Sequence, residues 1–468
     1  MLRNRLPEIE IPEDNPFKND ILNRESCANT FINLVKLYYS TGCVIALNGE
    51  WGAGKTTFVR MVMPELKKKG THPLYFNAWE NDYVADPLIA LLAELKTLFP
   101  QSNKWDNVIA NGGKILSSIA TATAKAVVKN YLGEVSDAIS AGINEVEQIL
   151  KDDLNKFAEQ KTTFSEFRKA LKEYIADNTS EEIPIVFFID ELDRCSPQFA
   201  VLVLERIKHL FDIPNIVFVL SINKKQLGYA IQGYYGSANI DANNYLRRFI
   251  DIEYTLPRPN TDTFCKYLYT QYQFENIFKN RVRFPELRYD ADNFRRTAQI
   301  LISSSKIDFR TADKIFSHTR LALMEFDINN YIIPDVFFLL CYFRIVNPEL
   351  YSNIINRKYT AQVLLDEIEN FIPLELLEKN DLYNSPSRAM TFTIASLLFM
   401  YNLDENGEEK IKDFVNQGKI VLQTKHLDSE TFNEALSWCK KRESIVPLVF
   451  ITKKIELEDA ILFDKYND

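Results

Sequence analysis

Val44-Ile45-Ala46-Leu47-Asn48-Gly49-Glu50-Trp51-Gly52-Ala53-Gly54-Lys55-Thr56-Thr57 decides how this chain folds. An apolar run with the character of a buried strand breaks into a glycine-rich loop, and Lys55-Thr56 then opens a helical pattern. This is G-x-x-x-x-G-K-[ST] in the strand–loop–helix setting that gives the motif its meaning. Gly49, Gly52 and Gly54 let the backbone curl until its N–H groups converge, and the helix that follows adds its positive N-terminal end. Glu50, Trp51, Ala53 and Thr57 complete the loop. Lys55 is placed to reach the β and γ phosphates of a nucleotide, and the Thr56 hydroxyl to bind Mg²⁺. The stretch reads as a nucleotide site.

Composition narrows the rest. The 468 residues are 46% hydrophobic and 25% charged, which is ordinary for a globular protein with room for several domains. A net charge of −9 gives no global attraction to nucleic acid or anionic membrane. The six cysteines show no C-x-x-C spacing and there are four histidines, so neither a zinc site nor a disulfide framework is suggested. That usage fits a reducing cytoplasm. No stretch offers eighteen uninterrupted apolar residues. The nearest, Val108 to Ile143, is crossed by Lys114, Lys125, Lys129, Glu134 and Asp137, so no membrane span is expected.

Outward from the loop, strand and helix signals alternate. Glu25 to Tyr39 reads as a helix, Thr57 to Lys69 as another, and Lys67-Lys68-Lys69-Gly70 as its stop. His72 to Trp79 and Ile183 to Glu191 read as strands, the latter apolar on both faces as a central parallel strand should be. Pro87 to Phe99 and Phe199 to Phe211 carry helical spacing; Asn215 to Leu220 and Ile250 to Leu256 supply two more strands. The class expected is α/β, a three-layer parallel sheet of P-loop type. Residues 1–20 form an arm that Pro7, Pro12 and Pro16 keep from being helical. The core spans 21–258, with a helical insertion over about 103–177 standing off the nucleotide fold. A helical lid follows over 259–330, with one helix across Thr263 to Lys279, then a helical C-terminal domain over 331–468. Ile445 to Thr452 offers a short β element within it.

The chemistry-bearing residues cluster after the strands. Ile185-Val186-Phe187-Phe188-Ile189 delivers Asp190 to the carboxyl edge of the sheet, where ligands bind, and Asp190 is placed to hold Mg²⁺. Glu191 stands where a general base for an attacking water is needed. Asn223, after the next strand, is placed for the γ phosphate or that water, or else is a turn former. Arg194 can stabilise transition-state charge, or pair with Glu191, Asp193 or Glu205. Arg247, Arg248 and Arg310 are the other arginine candidates, Arg310 opening a lid helix.

Gly49 to Thr56, Phe76-Asn77-Ala78-Trp79 and above all Ile189-Asp190-Glu191-Leu192-Asp193-Arg194-Cys195-Ser196-Pro197 together resemble the KAP family of P-loop NTPases. Ser221-Ile222-Asn223 and Tyr245-Leu246-Arg247-Arg248-Phe249 fall at that family's corresponding places. The resemblance runs over roughly Asp20 to Glu325. It implies an ATPase with an interrupted α/β core and a helical lid, using ATP and Mg²⁺. It also implies a part in bacterial defence against phage or plasmids. Many members carry transmembrane helices between the two phosphate motifs; the charged insertion here departs from them.

The function expected is an ATP-hydrolysing switch or scaffold that forms a homo-oligomer and engages a protein partner or effector. The alternative is a nucleic-acid-stimulated ATPase or translocase, for which a pI of 5.3 gives no support beyond a local basic face. A small-molecule kinase would not need Glu191.

Overall fold

The computed structural model describes residues 9–119, 149–179, 183–211, 213–258, 260–304, 307–378, 385–403, 415–416, 419–420, 422–441 and 446–456. The chain divides into two compact units at Pro259–Asn260.

The first unit is built on a parallel sheet. In chain order it runs α1 (Glu25–Lys36), β1 (Cys43–Asn48), α2 (Lys55–Lys68), β2 (His72–Asn77), α3 (Pro87–Leu98), α4 (Trp105–Ile119), α5 (Ile149–Asn178) and β3 (Ile185–Asp190). It continues with α6 (Pro197–Leu210), β4 (Ile216–Ile222), α7 (Lys224–Tyr235), α8 (Ala242–Leu246) and β5 (Ile252–Thr255). The strands lie in the order β2-β3-β4-β1-β5, and every pairing is parallel. β3 and β4 are buried along their whole length, which is why both sequences are apolar at successive positions and not alternating.

Period-two alternation then sends the strand side chains to two cores. Ile45, Leu47, Val186, Phe188, Val217 and Val219 face α1 and α2, which answer with Phe31, Ile32, Phe58, Val59 and Val62. The intervening residues, among them Ala46, Phe187, Ile189, Phe218 and Leu220, face α3, α6 and α7. The result is the three-layer arrangement expected.

The insertion differs from expectation. Its described ends do not stand off the fold: Trp105, Val108, Ile115, Phe167, Leu171 and Tyr174 are buried in the same core as β3 and β4. The cause is an apolar stripe on each of α4 and α5 that pairs the two helices and closes on α3 and α6. Residues 120–148 lie outside the described residues.

The second unit is helical apart from one short antiparallel pair, Val415–Asn416 with Lys419–Ile420. Thr261–Gln271 and Phe274–Lys279 are separate helices, because Gln273 takes a left-handed φ of +56° and restarts the chain at buried Phe274. Asp290–Ser304, Phe309–Leu323 and Pro334–Val346 follow, with further helices to Glu456. Of the β element expected at Ile445 to Thr452, Ile445 lies outside the described residues, and Leu448 to Thr452 is instead part of a helix, Leu448–Glu456. Leu448, Ile451, Thr452 and Ile455 are its buried residues, at helical spacing, so packing overrode the β-branched composition. Among the described residues no helix is long and apolar enough to cross a membrane.

Candidate functional site

The site lies at the carboxyl edge of the sheet, where β1, β3 and β4 end side by side. β1 runs straight into the loop, whose Gly52 and Gly54 hold φ of +74° and +79°. A side chain at either would be strained in that region, which explains why glycine stands there. Gly49, expected to curl in the same way, does not take a left-handed φ. Its carbonyl instead accepts from Lys55 Nζ at 2.7 Å, with the Glu50 carbonyl at 3.2 Å. Lys55 is buried and folded back over its own loop. Gly54 caps α2 without a side-chain bond, and the positive N-terminal end of the helix opens directly from the loop.

Arg24, which the sequence reading passed over, holds the loop from below. It is 4% exposed, and its Nη2 donates to the Ala53 carbonyl at 2.7 Å. Burial lowers its pKa, against the pull of Asp20. The signal was there only as a lone arginine at the start of a helix, 30 residues upstream of Gly54.

Asp190 is 1% exposed. Its Oδ1 accepts from the Glu191 N–H at 3.0 Å and its Oδ2 from the Tyr75 hydroxyl at 3.1 Å. Burial first, and the Asp190 charge second, push the Tyr75 pKa well above its usual value, so the phenol stays a donor. Glu191 occupies a left-handed φ of +61°. For a residue with a side chain that conformation costs roughly 1–2 kcal/mol. Such strain is typical of functional sites.

Of the two readings open for Arg194, the structure contains the pairing: Nη1 lies 3.1 Å from Glu191 Oε1. The guanidinium also sits over the Trp79 ring, 5.9 Å from its centroid. That gives the Asn77-Ala78-Trp79 stretch a physical job. Asn77 Oδ1 accepts from the Trp79 N–H at 3.1 Å and sets the turn that presents the indole. Trp51, on the phosphate loop, donates its indole N–H to Asp193 Oδ2, tying that loop to the Asp190-Glu191 turn.

Asn223 caps α7, its Oδ1 accepting from the N–H of Lys225 at 3.1 Å and of Gln226 at 3.2 Å. Its amide nitrogen remains a donor beside the loop. A cavity of about 540 Å³ opens there, lined by Gly49, Glu50, Ala53, Asn223 and Arg258 among others. Glu50 itself is exposed and 3.5 Å from Arg258. Arg247 and Arg248 are exposed after α8, with no ion-pair partner among the described residues. Arg310 is exposed on the first turn of Phe309–Leu323 in the second unit.

One atom here is unsatisfied. Ser221 is fully buried, and its hydroxyl has no hydrogen-bond partner among the described residues. It sits in register between Leu47 of β1 and Asp190 of β3. Asp190 and Ser221 bring side-chain oxygens to this edge beside the loop that carries Thr56, and oxygen donors suit a hard divalent cation. Among the described residues no group of three or more His, Cys, Asp or Glu side chains could hold a metal unaided. Mg²⁺ is commonly held by one or two carboxylates together with a substrate's phosphates, a demand that Asp190 alone can meet on the protein side.

A parallel sheet with this strand order and a phosphate loop between β1 and α2 is the fold of a P-loop nucleotide-binding protein. Residues 24–320 match the KAP family P-loop domain, and the chain belongs to that family. It is 22% identical over 268 residues to the phage T7 exclusion protein of Escherichia coli (strain K12), covering 53% of this chain. It spans 34% of that relative's length. The solved ORC2 protein of Aeropyrum pernix, determined as ADPNP-ADP complexes, is 12% identical and covers 92% of this chain and 96% of its own, with a TM-score of 0.32.

Proposed function

We propose that the chain is an ATP-hydrolysing switch, working as a homo-oligomer with a protein partner in bacterial defence against phage or plasmids. The observation that carries the hydrolytic part is Glu191 directly after buried Asp190, joined to the phosphate loop through Asp193 and Trp51. ATP with Mg²⁺ would sit on the loop N–H groups, Lys55 and the start of α2, with Thr56 and Asp190 holding the ion. The bound ion would supply charge neutralisation on the phosphates.

The protein's own groups supply the rest. Lys55 gives up the loop carbonyls for phosphate oxygens, a charge-assisted exchange. Arg194, drawn to the same negative charge, releases Glu191, which then accepts the proton of the attacking water. The Asn223 amide N–H orients that water or the γ phosphate. Arg247 or Arg248, exposed and without an ion-pair partner among the described residues, supplies positive charge to a neighbouring copy's nucleotide. The defence role rests on the name of one relative and on the family resemblance.

Exposed Tyr229, Tyr234 and Tyr235, with Lys225 over the Tyr229 ring, favour one second reading, stimulation by nucleic acid.

Phosphate release and nucleotide binding test both. Glu191→Gln should bind ATP as the parent does and lose roughly 10²–10⁴-fold in turnover. Lys55→Ala should lose binding itself. Equal turnover in Glu191→Gln refutes the assigned base; turnover driven by DNA or RNA would replace the switch with the second reading.

A further inference from the structure

We infer that Ser221 is part of the divalent-cation site, its hydroxyl bonding the ion or a water in the ion's shell. The inference rests on the nucleotide reading above and deepens it. Three observations carry it.

The first is the face. Parallel strands in register put paired residues on the same side of the sheet, and Ser221 pairs with both Leu47 and Asp190. Leu47, Val217 and Val219 all face the α1–α2 layer, so alternation sends Ser221 there too. Asp190 faces the same layer, because it meets the hydroxyl of Tyr75, which packs in that core. The second is the place. This is the last turn of sheet before the loop: Gly49 N–H bonds the carbonyl of Ile222, one residue beyond Ser221, at 3.1 Å. Ser221 is therefore flanked by the strand that feeds Lys55-Thr56 and the strand that ends in Asp190.

The third is the orphaned hydroxyl. Serine is a poor choice inside a strand that is otherwise Ile-Val-Phe-Val-Leu-Ile, and a buried hydroxyl without a partner is a cost that alanine would remove. Asp190 uses its two oxygens on the Glu191 N–H and Tyr75, and neither bond reaches Ser221. A polar atom kept unsatisfied beside the phosphate-binding edge is explained by a ligand that completes it. Outer-shell partners of this kind orient the ion's water and the carboxylate together.

The test is nucleotide binding, read by a fluorescent ATP analogue titrated with MgCl₂ after EDTA treatment, on the parent, Ser221→Ala and Ser221→Cys. The Mg²⁺ concentration needed to reach half of the metal-dependent gain in affinity should rise about 10–100-fold in both variants. Affinity for the metal-free nucleotide should be unchanged. The ligand-free melting temperature of Ser221→Ala should stay the same or rise. A purely structural serine predicts the reverse: a lower melting temperature with the parent's Mg²⁺ requirement, and that result overturns the inference. An equal loss of metal-free affinity also overturns it, since the loop and not the ion would then be affected. If the parent shows no Mg²⁺-dependent nucleotide binding, the nucleotide reading itself has failed, and Ser221 with it.

Discussion

Polar groups are buried in one way at the sheet edge of the first unit and in another in two networks of the second. In the second, they close on one another. Arg281, 2% exposed, spreads its guanidinium over Asp290 at 2.8 Å and the carbonyls of Ile328 and Asn330 at 3.0 and 2.5 Å. Glu369, 1% exposed, accepts from three successive backbone N–H groups, those of Lys425, His426 and Leu427. In the first unit, the polar groups at the sheet edge are held provisionally. Lys55 rests on loop carbonyls, Glu191 on Arg194, and Ser221 on nothing described. Fully satisfied buried networks rigidify a structure and specify it, and on the function proposed above the provisional ones are those a nucleotide would complete. Substitutions in the second unit should therefore register as stability, and those at the sheet edge as binding.

The strongest challenge to that contrast is Arg281→Leu. It strips a buried carboxylate and three carbonyls, those of Asp327, Ile328 and Asn330, of a donor, so it should destabilise the protein by about 3–5 kcal/mol. Denaturant titration measures this, and a loss below 1 kcal/mol would mean the network is not closed as described.

His318 offers a pH test. Its Nε2 lies 2.6 Å from Arg344 Nη1, and burial together with that positive charge lowers its pKa from 6.5 to about 4. The folded protein thus binds this proton less readily than the unfolded chain does. Stability is complete above pH 6.5, falls as the pH drops toward 4, and stops falling on this account below that. Allowing for partial exposure, the loss is roughly 2 kcal/mol. His318→Gln should flatten the stability profile between those limits.

The smallest effect should come from Arg24→Met. Losing the bond to the Ala53 carbonyl loosens the loop, while the apolar replacement relieves a buried Nε that has no hydrogen-bond partner among the described residues. Nucleotide affinity should fall about 10-fold with little change in melting temperature. A large drop in stability at constant affinity would place Arg24 with the closed networks of the other unit and erase the distinction.

Much of the fold is written locally. The five strands of the sheet announce themselves as short apolar runs, and the phosphate loop as glycines before Lys55-Thr56. Helix stops such as Lys67-Lys68-Lys69-Gly70 read correctly because capping is a neighbour effect: α2 ends at Lys68 and Gly70 takes a left-handed φ. Ile445 to Thr452 misled because β-branched composition is a weak preference, and only the packing face distinguishes a strand from the helix found there. The insertion misled for a related reason. A helical pattern shows which side is apolar, not what that side will meet.

The candidate site divides along the same line. The sequence by itself determined the residues bound to a contiguous motif: Gly52, Gly54, Lys55 and Thr56 in one loop, Asp190 and Glu191 at the end of one strand. Spacing along a chain is enough when the chemistry is built by one turn of backbone. Only the tertiary structure decided the pairings across it. Arg24 under the loop, Trp51 on Asp193, Arg194 between Glu191 and Trp79, and Ser221 beside Asp190 join residues up to 142 positions apart. Those contacts follow from strand order and register, which are set by which apolar faces bury together and not by any residue's immediate neighbours.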